Sequence, residues 1–289
     1  MPEQAAPRAL LRWLDTRKDM ALHAGMRLLP TPAVSAMGAG LAWLGSHARQ
    51  KAKIERSMRA LEWLRPELDE AGRRRFAMAN LRHAGRSLAE FSCLHRLGAE
   101  GRIEVEGREN VTAPNAILAL LHLGNWESMM PAILGIGMRV HSIYQPPASA
   151  AQLAIATRVR RSLGNDAIPA STMAPRQALR LLERGDTTIG IFMDEYKNGR
   201  VNGPAFGRPP AKGGNMAMAL RLAMKAGVPL VPAYMLRLPG PRFRAHFLPA
   251  LPLTGDLAAD QAALEAVIEP VIRRHLDQWL MLYAFRPDR

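Results

Sequence analysis

The sequence predicts an α/β protein: a mixed, mostly parallel central sheet flanked by helices and preceded by a helical N-terminal region. Three observations carry this. Before Gly101, apolar residues recur at three- and four-residue spacing, the helical period. After Gly101, short apolar runs alternate with helical stretches, the pattern of βαβ units. The 289 residues suffice for a core that needs no metal or disulfide staple.

Residues 8–100 read as helical throughout, with Ile54, Met58, Leu61 and Leu64 as one apolar stripe. An uncharged stretch runs from Leu28 to Ala48, and its apolar centre is Ala33 to Gly45. That is shorter than the ~20 residues a spanning helix needs. Arg12, Arg17, Lys18 and Arg27 precede it, and Arg49, Lys51 and Lys53 follow. Two placements fit: a helix lying in the headgroup region, or an ordinary buried helix. The opening residues lack the basic start and apolar run of a secretory signal.

Ile103 to Val105 is a weak strand. Ala116 to Leu121 is apolar at every position, as a strand buried on both faces must be. Val140 to Tyr144, Thr187 to Met193 and Leu230 to Leu236 are the next three, with Phe243 to Leu248 as a sixth. Helices are expected over Glu127 to Leu134, Gln152 to Leu163, Pro175 to Glu183 and Asn215 to Lys225, and a last one over Leu257 to Met281. The division is a helical, membrane-associating region over 1–100 and an α/β domain over 101–289, forming one compact unit.

Composition narrows the chemistry. Hydrophobic residues make up 48 % and charged residues 22 %, which excludes global disorder. The single cysteine, Cys93, excludes an internal disulfide or a Cys-x-x-Cys site and reads as a core residue. The net charge is +14, and residues 1–96 hold 17 basic against 9 acidic side chains. Such a balance points to an anionic partner: nucleic acid, an acidic protein or an anionic membrane. There is no G-x-S-x-G elbow, no phosphate loop of the G-x-x-x-x-G-K-[ST] type and no H-E-x-x-H, so no metal is expected. Gly38-Ala39-Gly40 follows a helix rather than a strand and is poor support for dinucleotide binding.

In an open α/β sheet, ligands bind beyond the carboxyl ends of the strands. Ala116–Leu121 is followed by His122-Leu123-Gly124-Asn125-Trp126-Glu127, and Thr187–Met193 by Asp194-Glu195-Tyr196-Lys197. A neutral imidazole is the usual general base near neutral pH, and a carboxylate can orient it. Five residues within one helix would set His122 and Glu127 about 140° apart, so they meet only across a turn. Gly124-Asn125 supplies that turn, with Asn125 as helix N-cap and Glu127 in the first helical turn. The same spacing recurs at His95 and Glu100 without a preceding strand, so the strand-then-turn context carries the reading. Basic residues gather at Arg158, Arg160 and Arg161, and again at Lys197, Arg200, Arg208 and Lys212. Gly213-Gly214-Asn215 opens a helix whose free N–H groups suit a phosphate.

The motif H-L-G-N-W-E after a buried strand resembles the late acyltransferases of lipid A biosynthesis, the lauroyl and myristoyl transferases of the lysophospholipid acyltransferase superfamily. The likeness extends over most of the chain. Ala79-Asn80-Leu81 and Glu90 resemble the family's N-terminal helical part. Ile143-Tyr144-Gln145-Pro146 resembles its Y-R-P segment, and Met193-Asp194 its strand ending in D-Q. Phe206-Gly207-Arg208-Pro209 resembles its F-F-G-x-P loop, Gly227-Val228-Pro229 its next strand, and Asp277-Gln278-Trp279 its closing E-Q-W. The resemblance implies that His122 deprotonates an acceptor hydroxyl with Glu127 as its carboxylate partner. It also implies substrate-binding roles for Asn125, Arg161, Asp194, Glu195, Arg208 and Lys212. No cofactor is implied; an acyl carrier protein or coenzyme A thioester is the donor and a membrane glycolipid the acceptor. The implied place is the cytoplasmic face of the bacterial inner membrane, peripheral or anchored through the N-terminal region. Gln145, Glu195-Tyr196 and Lys212 depart from the family pattern on the acceptor side, so a phosphoinositol mannoside or an amino lipid stays open as acceptor. Two other readings stay open: a basic nucleic-acid-binding protein, disfavoured by 6 % aromatics and no base-reading motif, and a lipid-binding relative without catalysis.

Overall fold

The computed structural model describes residues 5–47, 50–147, 149–164 and 166–287. Helices come first: α1 (Ala5–Leu28), α2 (Thr31–Ser46), α3 (Lys51–Leu64), α4 (Glu70–Glu90) and the single turn α5 (Leu94–Leu97). Pro32 sits in the first turn of α2, where its missing N–H costs nothing. The Asp69 carboxylate opens α4 by accepting from the Gly72 N–H at 2.6 Å, a cap worth about 1 kcal/mol. The uncharged stretch of the sequence becomes α2; Ala48 and Arg49, which close it, lie outside the described residues.

The second half alternates as the apolar runs foretell. β1 (Ile103–Glu106) and β2 (Ile117–Leu120) are followed by α6 (Met129–Gly135), β3 (Val140–Tyr144), α7 (Ala150–Ser162), β4 (Asp166–Pro169), α8 (Ala174–Leu182) and β5 (Thr188–Phe192). A two-rung hairpin, β6 (Tyr196–Lys197) and β7 (Arg200–Val201), leads to α9 (Asn215–Ala226), β8 (Leu230–Leu238), β9 (Arg242–Phe247) and α10 (Leu257–Arg274). The seven-stranded sheet runs β1-β9-β8-β2-β5-β3-β4, and only β8 and β9 pair antiparallel. Two elements differ from expectation. β4 was not foreseen: it opens on Asp166 and closes on Pro169, which suits an edge strand and gives no apolar run. The last helix stops at Arg274 rather than Met281, because residues 276–284 coil into tight turns that fold back onto the end of β2.

Side chains alternate across the sheet, so β2 divides between two cores. Ile117 and Ala119, with Leu121 and Leu123 just beyond the strand, belong to one core, together with Ile189 and Ile191 of β5 and Met193 after it. Leu118 and Leu120 face the other, with Met129 and Ile133 of α6. Ile54, Leu61, Ala77 and Leu81 from α3 and α4 belong to the first, so the helical region packs into the core of the sheet.

α2 lies unusually close to α4. A Cβ on Gly38 would fall 2.4 Å from the Gly85 carbonyl oxygen, and one on Gly85 would fall 2.5 Å from the Ala42 Cβ. The opposite face of α2 is exposed and carries no charge: Ala36, Met37, Gly40, Leu41, Trp43 and Leu44. Among the described residues no helix is long and apolar enough to cross a membrane. Helix propensity alone favours Gly38→Ala by about 1 kcal/mol. The clash with backbone should win, and we expect a net loss of about 1–3 kcal/mol by denaturant unfolding. Unchanged or raised stability would show that the two helices are free to separate.

Candidate active site

β2 and β5 are parallel neighbours, with Leu120 opposite Phe192. Two residues on, the same register sets His122 beside Asp194 on one side of the sheet. The Asp194 carboxylate is fully buried. Its Oδ1 lies 2.9 Å from His122 Nδ1; its Oδ2 accepts from the His122 backbone N–H at 3.0 Å and from Trp279 Nε1–H at 2.8 Å. The bond to a carboxylate assigns the proton to Nδ1 and leaves Nε2 with the acceptor lone pair. The imidazole stacks on Phe192 at 3.9 Å and meets Trp126 edge-on at 5.7 Å. Its side chain keeps 19 % exposure.

The loop after His122 is held from three sides. Leu123 bridges Trp279, the Gly124 N–H donates to the Gln278 carbonyl at 3.1 Å, and the Leu280 N–H to the His122 carbonyl at 2.9 Å. Gly124 has φ +57°, and a Cβ there would lie 2.6 Å from the Met235 carbonyl oxygen, so only glycine fits this turn. From α4, Ser87 Oγ donates to the Gly124 carbonyl at 2.9 Å. Asn80 Nδ2 reaches the carbonyls of Leu276, Asp277 and Trp279 at 2.8–3.2 Å.

Beneath the loop lies a second buried charge. Glu90 is wholly inaccessible and takes both Nη groups of Arg237 at 2.7 and 2.6 Å. Asn125 is buried as well, and its Nδ2 donates to Glu90 Oε2 at 2.9 Å. The expected side-chain N-cap from Asn125 is therefore not made; its backbone carbonyl accepts from Ser128 instead. Gln278 brackets the backbone of Arg237, accepting from its N–H at 2.8 Å and donating to its carbonyl at 3.2 Å.

The structure pairs the His122 imidazole with Asp194, and Glu127, expected as its partner, has another contact. Glu127 forms its ion pair with Arg160 at 3.1 Å, and Arg160 also lies over the Tyr144 ring at 4.8 Å. Asp194, assigned to substrate by resemblance, instead holds the histidine. Arg161 points outward and is exposed; Arg160, four residues beyond the buried Ala156, is the arginine that α7 turns inward. Arg208 is buried and its guanidinium donates to the carbonyls of Pro204, Ala205 and Arg286 at 2.9–3.0 Å. Burial, then the charge of Arg200, lowers its pKa. It clasps the 204–208 loop to the C-terminal segment rather than standing open to a ligand. Glu195 accepts from Asn202 beside Gly214 at the start of α9, and Lys212 is exposed on the preceding loop; neither lines the cavity described next.

An apolar cavity of about 560 Å³ opens between α1, α2, α4 and α7. Glu127, Arg160, Trp126 and Leu280 line its inner end, and Leu22, Leu41 and Leu88 its outer walls. Trp126 meets the His122 ring edge-on, so the cavity ends one side chain from the imidazole. Among the described residues no three His, Cys, Asp or Glu side chains are placed to hold a metal ion.

At a strand end a carboxylate holds the imidazole, an apolar cavity lies one side chain away, and among the described residues no serine or cysteine pairs with the ring: this is the frame of an α/β transferase. The sequence profile of the bacterial lipid A biosynthesis acyltransferases matches residues 2–284. The chain belongs to that family and is an acyltransferase. No curated relative matches the chain.

Asp194→Asn would keep the shape and lose the charge that fixes the tautomer. We expect turnover to fall on the order of 10³–10⁴-fold with the fold retained by circular dichroism. Glu127→Gln should cost far less if Arg160 is its main contact; the reverse ranking in acyl-transfer assays would restore Glu127 as the orienting group.

Proposed function

We propose that this acyltransferase moves a fatty acyl chain from an acyl thioester, carried by acyl carrier protein, to a hydroxyl of a lipid A precursor at the cytoplasmic face of the bacterial inner membrane. The observation that carries the reading is the His122–Asp194 pair, with Trp126 between the imidazole and an apolar cavity. The family supplies the pathway; the pair supplies a base, and the cavity a place for hydrocarbon.

His122 Nε2 takes the proton of the acceptor hydroxyl as its oxygen attacks the thioester carbonyl. A C–O bond forms and the C–S bond breaks. The imidazolium, stabilised by Asp194, returns the proton to the leaving thiolate, so the histidine ends as it began. Arg160, fixed by Glu127 and Tyr144, is the cation that meets the negative charge developing on the carbonyl oxygen. Asn125, Glu90 and Arg237 act by holding the loop, not by touching substrate.

The acyl chain lies along Trp126, Leu81, Ala84 and Ile155 toward Leu41 and Leu88. The exposed uncharged face of α2 then meets the bilayer, which accords with a helix lying in the interface rather than one crossing it.

Two measurements test this. His122→Ala, assayed with acyl carrier protein thioester and a lipid A precursor, should lose at least about 10³-fold in turnover, read by mass spectrometry of the lipid. Full activity in that variant would end the proposal, and product appearing only with a phosphoinositol mannoside or an amino lipid would reassign the acceptor. Separately, Ala84→Leu should shorten the cavity. The preferred donor should become shorter, with kcat/KM for the longest accepted chain reduced at least about tenfold.

A further inference from the structure

Some surface cations have an acidic partner: Arg65 pairs with Glu67, Arg242 and Arg244 with Glu104, and Arg273 with Glu269. A cluster on α3 and the C-terminal segment has instead an exposed aromatic ring at its side. On α3, Arg56, Arg59 and Trp63 follow one another at three- and four-residue spacing, which places them on one side of the helix, and all three are exposed. Lys53, one turn earlier, has its ammonium 5.2 Å over the Tyr283 ring. Arg286 joins them from the C-terminal segment, its guanidinium tied to the Tyr283 and Phe285 carbonyls at 2.9 Å.

Arg56 and Arg59 stand near enough to Arg286 to depress its pKa, after the larger effect of burial. The acidic groups acting on it are two phenols, Tyr196 and Tyr283, whose rings lie 6.3 Å apart. Among the described residues no carboxylate forms an ion pair with Lys53, Arg56, Arg59 or Arg286. Glu55 and Glu62 of α3 flank Arg59 at four- and three-residue spacing, so the cluster sets four cations against two acids and keeps a net charge of +2. A surplus of positive charge in one place attracts an anion. The stripe is also placed to matter, because Lys53 and Leu280 line the cavity that ends beside His122.

Trp63 narrows the choice of anion. Its Nε1–H donates to the Phe206 carbonyl at 2.8 Å, which pins an indole that is 47 % exposed. A fixed, exposed indole beside arginines is the side-chain set of a membrane interface, and α2, with its uncharged face, directly precedes this helix. We propose that Arg56, Arg59 and Arg286, with Lys53 at the cavity rim and Trp63 alongside, form a docking surface for the phosphate-bearing headgroups of a bilayer. This rests on the reading of the enzyme as acting on a membrane lipid, and it assigns the approach side: the headgroup plane meets α3 and the C-terminal turn.

The test is co-sedimentation of the full chain with phosphatidylcholine vesicles, plain or containing about one third phosphatidylglycerol. The variants are Arg56→Gln/Arg59→Gln, the same pair with Arg286→Gln, and a control on the α8 side, Arg176→Gln/Arg180→Gln/Arg184→Gln. The control removes three charges from a helix that packs on β4, β5 and α9. The triple stripe variant should bind anionic vesicles on the order of 100-fold more weakly and the pair on the order of 30-fold, while the control changes less than about threefold. Thermal unfolding should change little in the pair, since both arginines are exposed.

Equal weakening by the control would reduce the effect to net charge and overturn the assignment. If wild type binds anionic vesicles and the stripe variants bind equally well, the assignment falls while the membrane reading stands. Should wild type bind neither vesicle, both fall. A raised KM for acyl carrier protein thioester with vesicle binding unchanged would give the stripe to the donor protein and overturn the lipid assignment.

Discussion

A carboxylate with no access to water must be surrounded by donors, and around Asp194 that requirement organises the site. Its donors come from three places: the backbone of His122, the imidazole of His122 and the indole of Trp279. Each makes a demand on the fold. β2 and β5 must be neighbours in register, and the chain must return after α10 to deliver Trp279. Removing one partner from a buried charge costs about 3–5 kcal/mol, so these demands are enforced together. The ending of α10 at Arg274 follows from the same need, because a helix continued to Met281 would carry Trp279 along its own axis instead of back to the sheet.

The second buried charge answers a different need. Glu90 and Arg237 pair bidentately beneath the loop, and Asn125 and Ser87 connect that pair to it. A hydrophobic pair of equal volume would pack there at no worse stability. What the ionic pair adds is direction: fixed acceptors and donors that hold Gly124 and Asn125 in one arrangement. A loop that carries His122 at one end and Glu127, paired with Arg160, at the other needs its conformation fixed more than it needs added stability.

How much of this could be read from the amino-acid order depends on whether the signal is local. Strands β2 and β5 announce themselves because both faces are buried and every position is apolar. His122 follows from the rule that ligands gather at strand ends, and the turn at Gly124 is visible as glycine. Edge strand β4 was missed since Asp166 and Pro169 hide it. The choice between Asp194 and Glu127 as partner of the imidazole turned on sheet order, which no local pattern encodes. Sequence spacing favoured the acid five residues away, whereas the register of two strands brought up one seventy-two residues away. Arg160 against Arg161 was within reach: Ala156 and Val159 mark the inward side of α7, and Arg160 stands four residues after the first. Glu90 and Arg237 were beyond it, being 147 residues apart and each ordinary in its own neighbourhood.

α4 explains why a helical region and a sheet serve one reaction. Its turns present two rows. Asn80, Ser87 and Glu90 reach the C-terminal turn, the loop and Arg237. Leu81, Gly85 and Leu88 line the cavity, and Gly85 also meets α2 at backbone distance. The cavity wall, where the proposed function lays hydrocarbon, and the anchor of the loop that carries His122 are therefore faces of one helix. A helix of 21 residues is stiff at this length, and loops joining the two halves would not fix their separation as closely. Under the proposed function, the distance between the end of an acyl chain in the cavity and the imidazole depends on side-chain packing along α4, so changes of donor length would fall to residues of the cavity wall while Asp194 sets the orientation of the imidazole.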